Sequence, residues 1–322
     1  MHSNNLSVVY IGTPDFSARL LDFLIKNKEK LKIEIPFVIT QEDKPFGRTR
    51  ELKPSPVKVL ACQNDIPVKY NLSEIKTLDK KNTLVILYAY GKIIPKSIID
   101  HTEYGFWNIH PSILPKYRGA SPISFPLTLG DKNTGVTLMQ MDEFLDHGNI
   151  IDQICFDIKI EDTQKDIQQK ATDIANKIIE KNLSLLRNGN VIKKQQIHEN
   201  ATFTRILTKD DGYIKSSLIK KAINNEFVSY SDFPNLLKWY NEKNNIIGCE
   251  KCFAMDILYN MHRGLYEWPG VWTTLTLKDN SKKRLKIVDI SILENGSKAI
   301  SSVQIEGKNP VDFETFVKYY EI

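Results

Sequence analysis

Residues 83–91 read TLVILYAYG, nine positions without a charge. A strand that is apolar at both odd and even positions must be covered on both faces, the condition of a central strand in a parallel sheet. That demand for helices on either side constrains the whole chain, and the surrounding sequence supplies them. A β-rich run over 6–11 leads into an amphipathic stretch over about 15–28, and a strand is predicted over 33–40. A helix begins at Pro56, where Ser55 caps and proline takes the first helical position. FWNIH (106–110) and TGVTLMQM (134–141) read as further strands, and 149–158 as an edge strand. From Thr163 a helix places Ile167, Ala171, Ile174, Ile178 and Leu185 on one stripe and ends near Gly189. Alternation of strand and helix predicts an α/β fold with a mostly parallel twisted sheet and flanking helices.

At 322 residues the chain exceeds one average domain. The pattern changes near residue 204, which predicts a first domain over 1–204, a polar linker over 205–215 and a smaller domain over 216–322. The last has helical stretches over 218–224 and 232–241, then strand-like runs at 271–277, 285–293 and 301–305, with a short helix over 312–320: a β core. Hydrophobic content of 41% beside 26% charge suits a soluble globular protein. No run approaches the roughly 20 apolar residues of a membrane span. The amino-terminal stretch lacks the basic-then-apolar pattern of a signal peptide, so none is expected. Four cysteines, Cys62, Cys155, Cys249 and Cys252, are too scattered for a secreted disulfide framework, which points to the cytoplasm. Cys249 and Cys252 have the spacing of a zinc half-site but no second pair, so two structural thiols and no metal are expected. A net charge of +5 allows a polyanionic partner without demanding one. The basic clusters at Lys220-Lys221 and Lys282-Lys283-Arg284 read as solvated faces, and Trp239, Trp268 and Trp272 as core residues.

Asn108 and His110 lie two apart on a strand and so share a face. In open α/β sheets ligands bind beyond the carboxyl ends of the strands. Asp146 follows the strand TGVTLMQM and is expected at the same rim on that ground. An isolated Asn-x-His is more often a hydrogen-bonded core pair, but an amide, an imidazole and a carboxylate together suit acyl transfer to an amine. Asn108 and protonated His110 would stabilise the oxyanion, and Asp146 would take the proton of the attacking nitrogen, directly or through water. Apart from Ser112, no serine or cysteine nucleophile adjoins His110, which favours direct attack by the substrate amine over a covalent intermediate. Pro111 and Pro115 stiffen HPSILP into an extended loop that would present backbone groups to a flat ligand.

Six strings, YIGTPDF (10–16), KPSPVK (53–58), YAYGKIIP (88–95), NIHPSILPKYRGASPI (108–123), TGVTLMQMDEFLDHG (134–148) and TKDDGYI (208–214), stand at family spacing. Together they resemble the methionyl-tRNA formyltransferase family over about the first 215 residues, and YEWPGVWT and VQIEGKNPVDFETFVKYY extend the likeness into the tail. The resemblance implies a Rossmann-like formyltransferase domain, then a C-terminal domain similar to a shortened OB-like barrel with an insertion over about 216–248. It implies 10-formyltetrahydrofolate as donor and the α-amino group of methionyl initiator tRNA as acceptor, with a monomeric enzyme as the expectation. Asn108, His110 and Asp146 match the family's catalytic triplet. Ser112, Ile113, Leu114 and Pro115 match its folate-contacting loop, with Tyr90 and Gly91 along the pterin pocket. The loop over 41–53 matches the insertion that grips the acceptor stem, with Arg48, Arg50 and Lys53 as its tRNA-binding residues. Three positions depart from the family pattern. Phe144 stands for glycine and is expected to reshape the pocket rim. His147 stands for threonine and is expected to act on Asp146 electrostatically, and the large Trp107 is expected to fill the sheet's rear face. Two other functions fit less well: a sugar N-formyltransferase acting on an amino-sugar nucleotide, and a non-catalytic binding module, against which the complete triplet argues.

Overall fold

The structure is a computed structural model that describes residues 5–46, 51–246 and 252–320. In chain order the strands are β1 (Leu6–Gly12), β2 (Ile33–Glu34), β3 (Val38–Ile39), β4 (Lys44–Phe46), β5 (Glu51–Lys53), β6 (Val68–Lys69), β7 (Thr83–Tyr88) and β8 (Phe106–His110). They continue as β9 (Asn133–Gln140), β10 (Ile150–Asp157), β11 (Phe227–Val228), β12 (Cys252–Phe253), β13 (Val271–Thr276), β14 (Lys282–Ile292), β15 (Lys298–Ile305) and β16 (Val311–Asp312). The helices are α1 (Asp15–Lys26), α2 (Lys28–Leu31), α3 (Pro56–Gln63), α4 (Lys96–Ile99), α5 (Ser124–Leu129) and α6 (Gln164–Arg187). Then follow α7 (Ser216–Ile223), α8 (Asn235–Lys243), α9 (Ala254–Gly264) and α10 (Phe313–Phe316). The chain divides into two compact units. One comprises Met1–Arg118, Thr134–Phe156 and Gln168–Ala201; the other comprises Gly119–Asn133, Asp157–Ile167 and Thr202–Ile322.

The first unit holds a sheet in the order β10-β9-β8-β7-β1-β3-β6, with β2 also on β1. The ladders from β6 through β3, β1 and β7 to β8 are parallel, whereas β9 joins β8 antiparallel. The charge-free run has become β7, between β1 and β8, and its residues part by period two. Leu84, Ile86 and Tyr88 pack with Tyr10, Ile109, Leu21, Ala175 and Ile178 in one core. Val85 and Leu87 pack with Val9, Ile11, Ile98 and Phe106 in another. Trp107 is fully buried in the first core, on the opposite side of β8 from Asn108 and His110.

Two expectations need correction here. The strand predicted over 33–40 is two short strands broken at Ile35-Pro36, because Pro36 has no N–H for the ladder. The chain resumes further along β1, moving from partners Leu6 and Ser7 to Tyr10 and Ile11. The long loop over 41–53 contains an antiparallel ribbon, β4 with β5, in which Pro45 faces Leu52.

The second unit has its own four-stranded antiparallel sheet in the order β13-β14-β15-β16, preceded by helices. Helix α9 is not signalled by the sequence pattern. Its N-cap is Phe253, with no side-chain capping bond, so the usual polar start signal is missing. It packs against α5 at Gly264, where a Cβ would stand 2.2 Å from Thr128 Oγ1, so only glycine fits. Trp268 is exposed rather than core, and Trp239 and Trp272 are half-buried beneath the guanidinium groups of Arg205 and Arg284, at 4.6 and 4.8 Å. Cys252 is disulfide-bonded, which overturns the expectation of a thiol there; Cys62 and Cys155 are free.

The segment read as a polar linker is tied down within this unit. Arg205 clasps the Asp211 carboxylate at 2.6 and 2.7 Å, the Thr208 N–H and hydroxyl also donate to it, and Trp272 Nε1 donates to Lys209 O. Burial alone would raise the Asp211 pKa, but the bonds from Arg205 and Thr208 outweigh it and hold the carboxyl below its ordinary value. A depressed folded-state pKa stabilises the protein above the unfolded-state value, and that stabilisation is lost as pH falls through the folded one. Asp211→Ala should therefore cost about 2 kcal/mol at neutral pH, since charged hydrogen bonds contribute about that much. Urea denaturation should show the gap from the parent narrowing as the pH is lowered below about 4, where the unfolded carboxylate takes up its proton.

Candidate active site

The site begins on β8, where Phe106, Asn108 and His110 point to one face. The polar pair is buried, at 7% and 4% exposure, which an amide and an imidazole tolerate only with partners. His110 Nε2 lies 3.0 Å from Tyr117 O. A carbonyl can only accept, so Nε2 carries the hydrogen and Nδ1 is the nitrogen left for chemistry. Nδ1 stands 3.7 Å from Asp146 Oδ1, and Asn108 Nδ2 donates to that same oxygen at 3.3 Å. Amide, imidazole and carboxylate therefore converge on one point.

Asp146 arrives there by a route other than the one expected. Because β9 is antiparallel to β8, with Gln140 opposite Trp107 and Thr137 opposite His110, the end of β9 lies beside the start of β8. The loop after it folds back instead. Gln140 N–H donates to Asn149 O, and Gly148 passes so near that a Cβ would stand 1.8 Å from Gln140 O. Asp146 itself sits at φ +46°, a left-handed conformation that costs a residue with a side chain about 1 kcal/mol. His147, expected to bear on Asp146, pairs with Asp142 at 2.6 Å and stacks flat on His198 with ring centroids 4.0 Å apart. Phe144 is exposed and meets His147 edge-on.

Ser112, Ile113, Leu114 and Pro115 form a loop pinned from below, with a cis peptide between Leu114 and Pro115. Thr137 Oγ1 donates to Ser112 O and accepts from Leu114 N–H, while Gln153 Nε2 donates to Leu114 O and to Thr137. Much of the loop's backbone polarity is thus satisfied inside the protein, so what it offers a ligand is chiefly its shape. Ser112 is fully buried and its hydroxyl donates to Lys116 O, so it is committed to the loop. Tyr90 is buried, which pushes its hydroxyl pKa up, and its carbonyl accepts from Thr13 and Gln41. Gly91 follows in the left-handed region at φ +76°. Lys53 is exposed at the end of β5; Arg48 and Arg50 lie outside the described residues. Among the described residues no group of three or more His, Cys, Asp or Glu could hold a metal ion, and no helix is long and apolar enough to cross a membrane. The residue that sequence reasoning missed is Gln196, whose Nε2 donates to the carbonyls of Asp146 and Gly148 at 2.9 and 2.8 Å. No local pattern marks it, because its partners lie about 50 residues upstream.

A mostly parallel sheet that presents an amide, an imidazole and a carboxylate together suits the formyl transferase class, and a family model described as "Formyl transferase" matches residues 5–183, more than half of the chain. The methionyl-tRNA formyltransferase of Caldicellulosiruptor saccharolyticus is 32% identical over 98% of both chains. That of Alkaliphilus oremlandii is 34% identical over 73% of this chain and 76% of its own. The chain belongs to the methionyl-tRNA formyltransferase family. Among solved structures, a sugar 3N-formyl transferase determined with dTDP and 5-N-formyl-THF superposes with a TM-score of 0.59 at 20% identity, over 96% of this chain and all of its own. An N-formyltransferase from Helicobacter canadensis gives 0.59 at 18% identity, over 94% and 95% of the two chains. At such identities these two show the fold alone.

Proposed function

We propose that this protein transfers the formyl group of 10-formyltetrahydrofolate to the α-amino group of methionine on initiator tRNA, in translation initiation. One observation carries the chemistry: Asn108 Nδ2 and His110 Nδ1 both face Asp146 Oδ1. The substrate amine attacks the formyl carbon, a C–N bond forms, and the carbonyl oxygen becomes an oxyanion. The Asn108 N–H and a proton on His110 Nδ1 stabilise it. Since Nε2–H is already given to Tyr117 O, the acting form of His110 is the doubly protonated ring. Asp146 takes the proton of the attacking nitrogen and returns it, directly or through water, to the folate nitrogen as the bond from carbon to that nitrogen breaks, so the carboxylate ends the cycle ionised.

The loop of Ser112, Ile113, Leu114 and Pro115, together with Tyr90 and Gly91, is assigned to the folate. The pinning by Thr137 and Gln153 supports this, because a preset wall binds a flat ligand without ordering cost. Catalysis is assigned to the 1–204 span, and Arg48, Arg50 and Lys53 to phosphates of the acceptor stem. A monomer in the cytoplasm completes the reading.

Purified protein with 10-formyltetrahydrofolate and either methionyl initiator tRNA or a 4-amino-sugar nucleotide tests the acceptor. Transfer to tRNA should exceed transfer to the sugar by about 10⁴-fold in kcat/KM, the discrimination open to a site with specific polar contacts. Formylation of the sugar alone would refute the assignment. Arg48→Ala should raise KM for tRNA about tenfold, the equivalent of one lost contact of about 1.4 kcal/mol, and leave KM for folate unchanged. The tRNA KM should also rise with salt, and equal effects on both substrates would remove the loop from tRNA recognition.

A further inference from the structure

The turn that carries Asp146 is held by side chains that the reaction scheme does not use. Gln196 is 4% exposed, and its amide spends every hydrogen-bonding position it has. Nε2 donates to Asp146 O at 2.9 Å and Gly148 O at 2.8 Å. Oε1 accepts from Arg118 Nη2 at 2.7 Å and Nε at 3.2 Å. A guanidinium only donates and a carbonyl only accepts, so the amide can point only one way. Arg118 is buried as well and donates from Nη2 to His198 Nδ1 at 2.8 Å. Desolvation, with His147 and Arg118 beside it, lowers the His198 pKa, in keeping with a neutral ring that accepts. His198 stacks on His147, and His147 is tied to Asp142. The segment 142–148 is thereby gripped through its backbone by Gln196 and through its side chains by the histidine stack.

We infer that Gln196, oriented by Arg118, is a positioning residue: its two donated bonds hold the left-handed turn at Asp146 and set the reach of that carboxylate to Asn108 and His110. The inference rests on the reading of Asp146 as the proton acceptor. Left-handed backbone at a non-glycine residue persists only where the surroundings impose it, and Asp146 sits at φ +46° with its own carbonyl in the Gln196 bond. Proton transfer requires heavy-atom approach of about 2.6–3.2 Å. A displacement of about 1 Å can cost about 10²-fold in rate.

Gln196→Glu is the sharpest probe. It keeps the size of the side chain and its attraction to Arg118, but sets a carboxylate oxygen against two carbonyl oxygens. The expected result is a kcat lowered by about 30- to 100-fold. KM for methionyl-tRNA and for folate should stay within about threefold, and the thermal midpoint should fall by less than about 10 °C, since two carbonyls each lose a donor. Gln196→Met, of similar length and uncharged, should show the same split and decides the matter should the Glu variant not fold. A kcat within about threefold of the parent in the folded variants overturns the inference. So does a loss of kcat that comes only with a fall in thermal midpoint of about 10 °C or more, which would assign Gln196 to the fold alone. Asp146→Ala, run alongside, separates the two layers. If it keeps parental kcat, the proton-acceptor reading fails and the inference falls with it; if it is crippled while the Gln196 variants are not, only the positioning role fails.

Discussion

Asp146→Ala is expected to lower kcat by about 10³-fold or more while the protein stays folded and binds both substrates. A positioned general base contributes about 10²–10⁴-fold. This carboxylate also organises two further groups, since Asn108 and His110 both face its Oδ1. The side chain is 11% exposed, and removing it leaves the buried Asn108 amide without this acceptor, so stability should fall by about 1–3 kcal/mol, far less than the kinetic loss. Asp146→Asn separates charge from shape. Its amide oxygen can still accept from Asn108 Nδ2 but cannot carry away a proton, so single-turnover formyl transfer should be as slow as in the alanine variant. A brisk Asn variant would end the proton-acceptor assignment.

His110→Ala should cost about 10²–10³ in kcat, the effect of losing one oxyanion donor. Two consequences separate this from a packing defect. First, the ring's Nε2–H satisfies Tyr117 O, so alanine leaves that buried carbonyl without this donor and lowers stability by about 1–3 kcal/mol. The stability loss is modest and measurable by urea denaturation, whereas the kinetic loss is far larger. Second, Asn108→Ala should cost a similar 10²–10³ or so, but the double variant should fall short of the product of the two, because groups that act as a unit are not additive. Strictly multiplicative losses would argue that the two side chains serve different steps.

Several of these features can be read from residue order. The charge-free run at 83–91 demands cover on both sides, and the two cores against β7 supply it. Alternation alone puts Asn108 and His110 on one face and Trp107 on the other. Strand direction is different. Period two is the same whichever way a strand runs, so nothing in TGVTLMQM discloses that β9 is antiparallel to β8. Residue order places Asp146 near the pair only if β9 ends at the same rim as β8, and it does not. Asp146 is near because a loop turns back. Gln196 and Arg118 were invisible for a related reason: their hydrogen bonds span about 50 and 80 residues and obey no periodicity. Helix α9 lacked a polar cap, and Pro36 divided a strand that composition made look continuous.

The amide and imidazole are spaced by the repeat of a buried strand, whereas the carboxylate is delivered by a turn. A residue added just before Asn108 would swing both groups to the far side of the sheet and into a core already filled by Trp107. A residue added between Met141 and Leu145 would re-aim the acid and leave the other two where they stand. An insertion therefore acts on the two halves of this constellation separately: the amide and imidazole move with the strand, and the carboxylate moves with its turn.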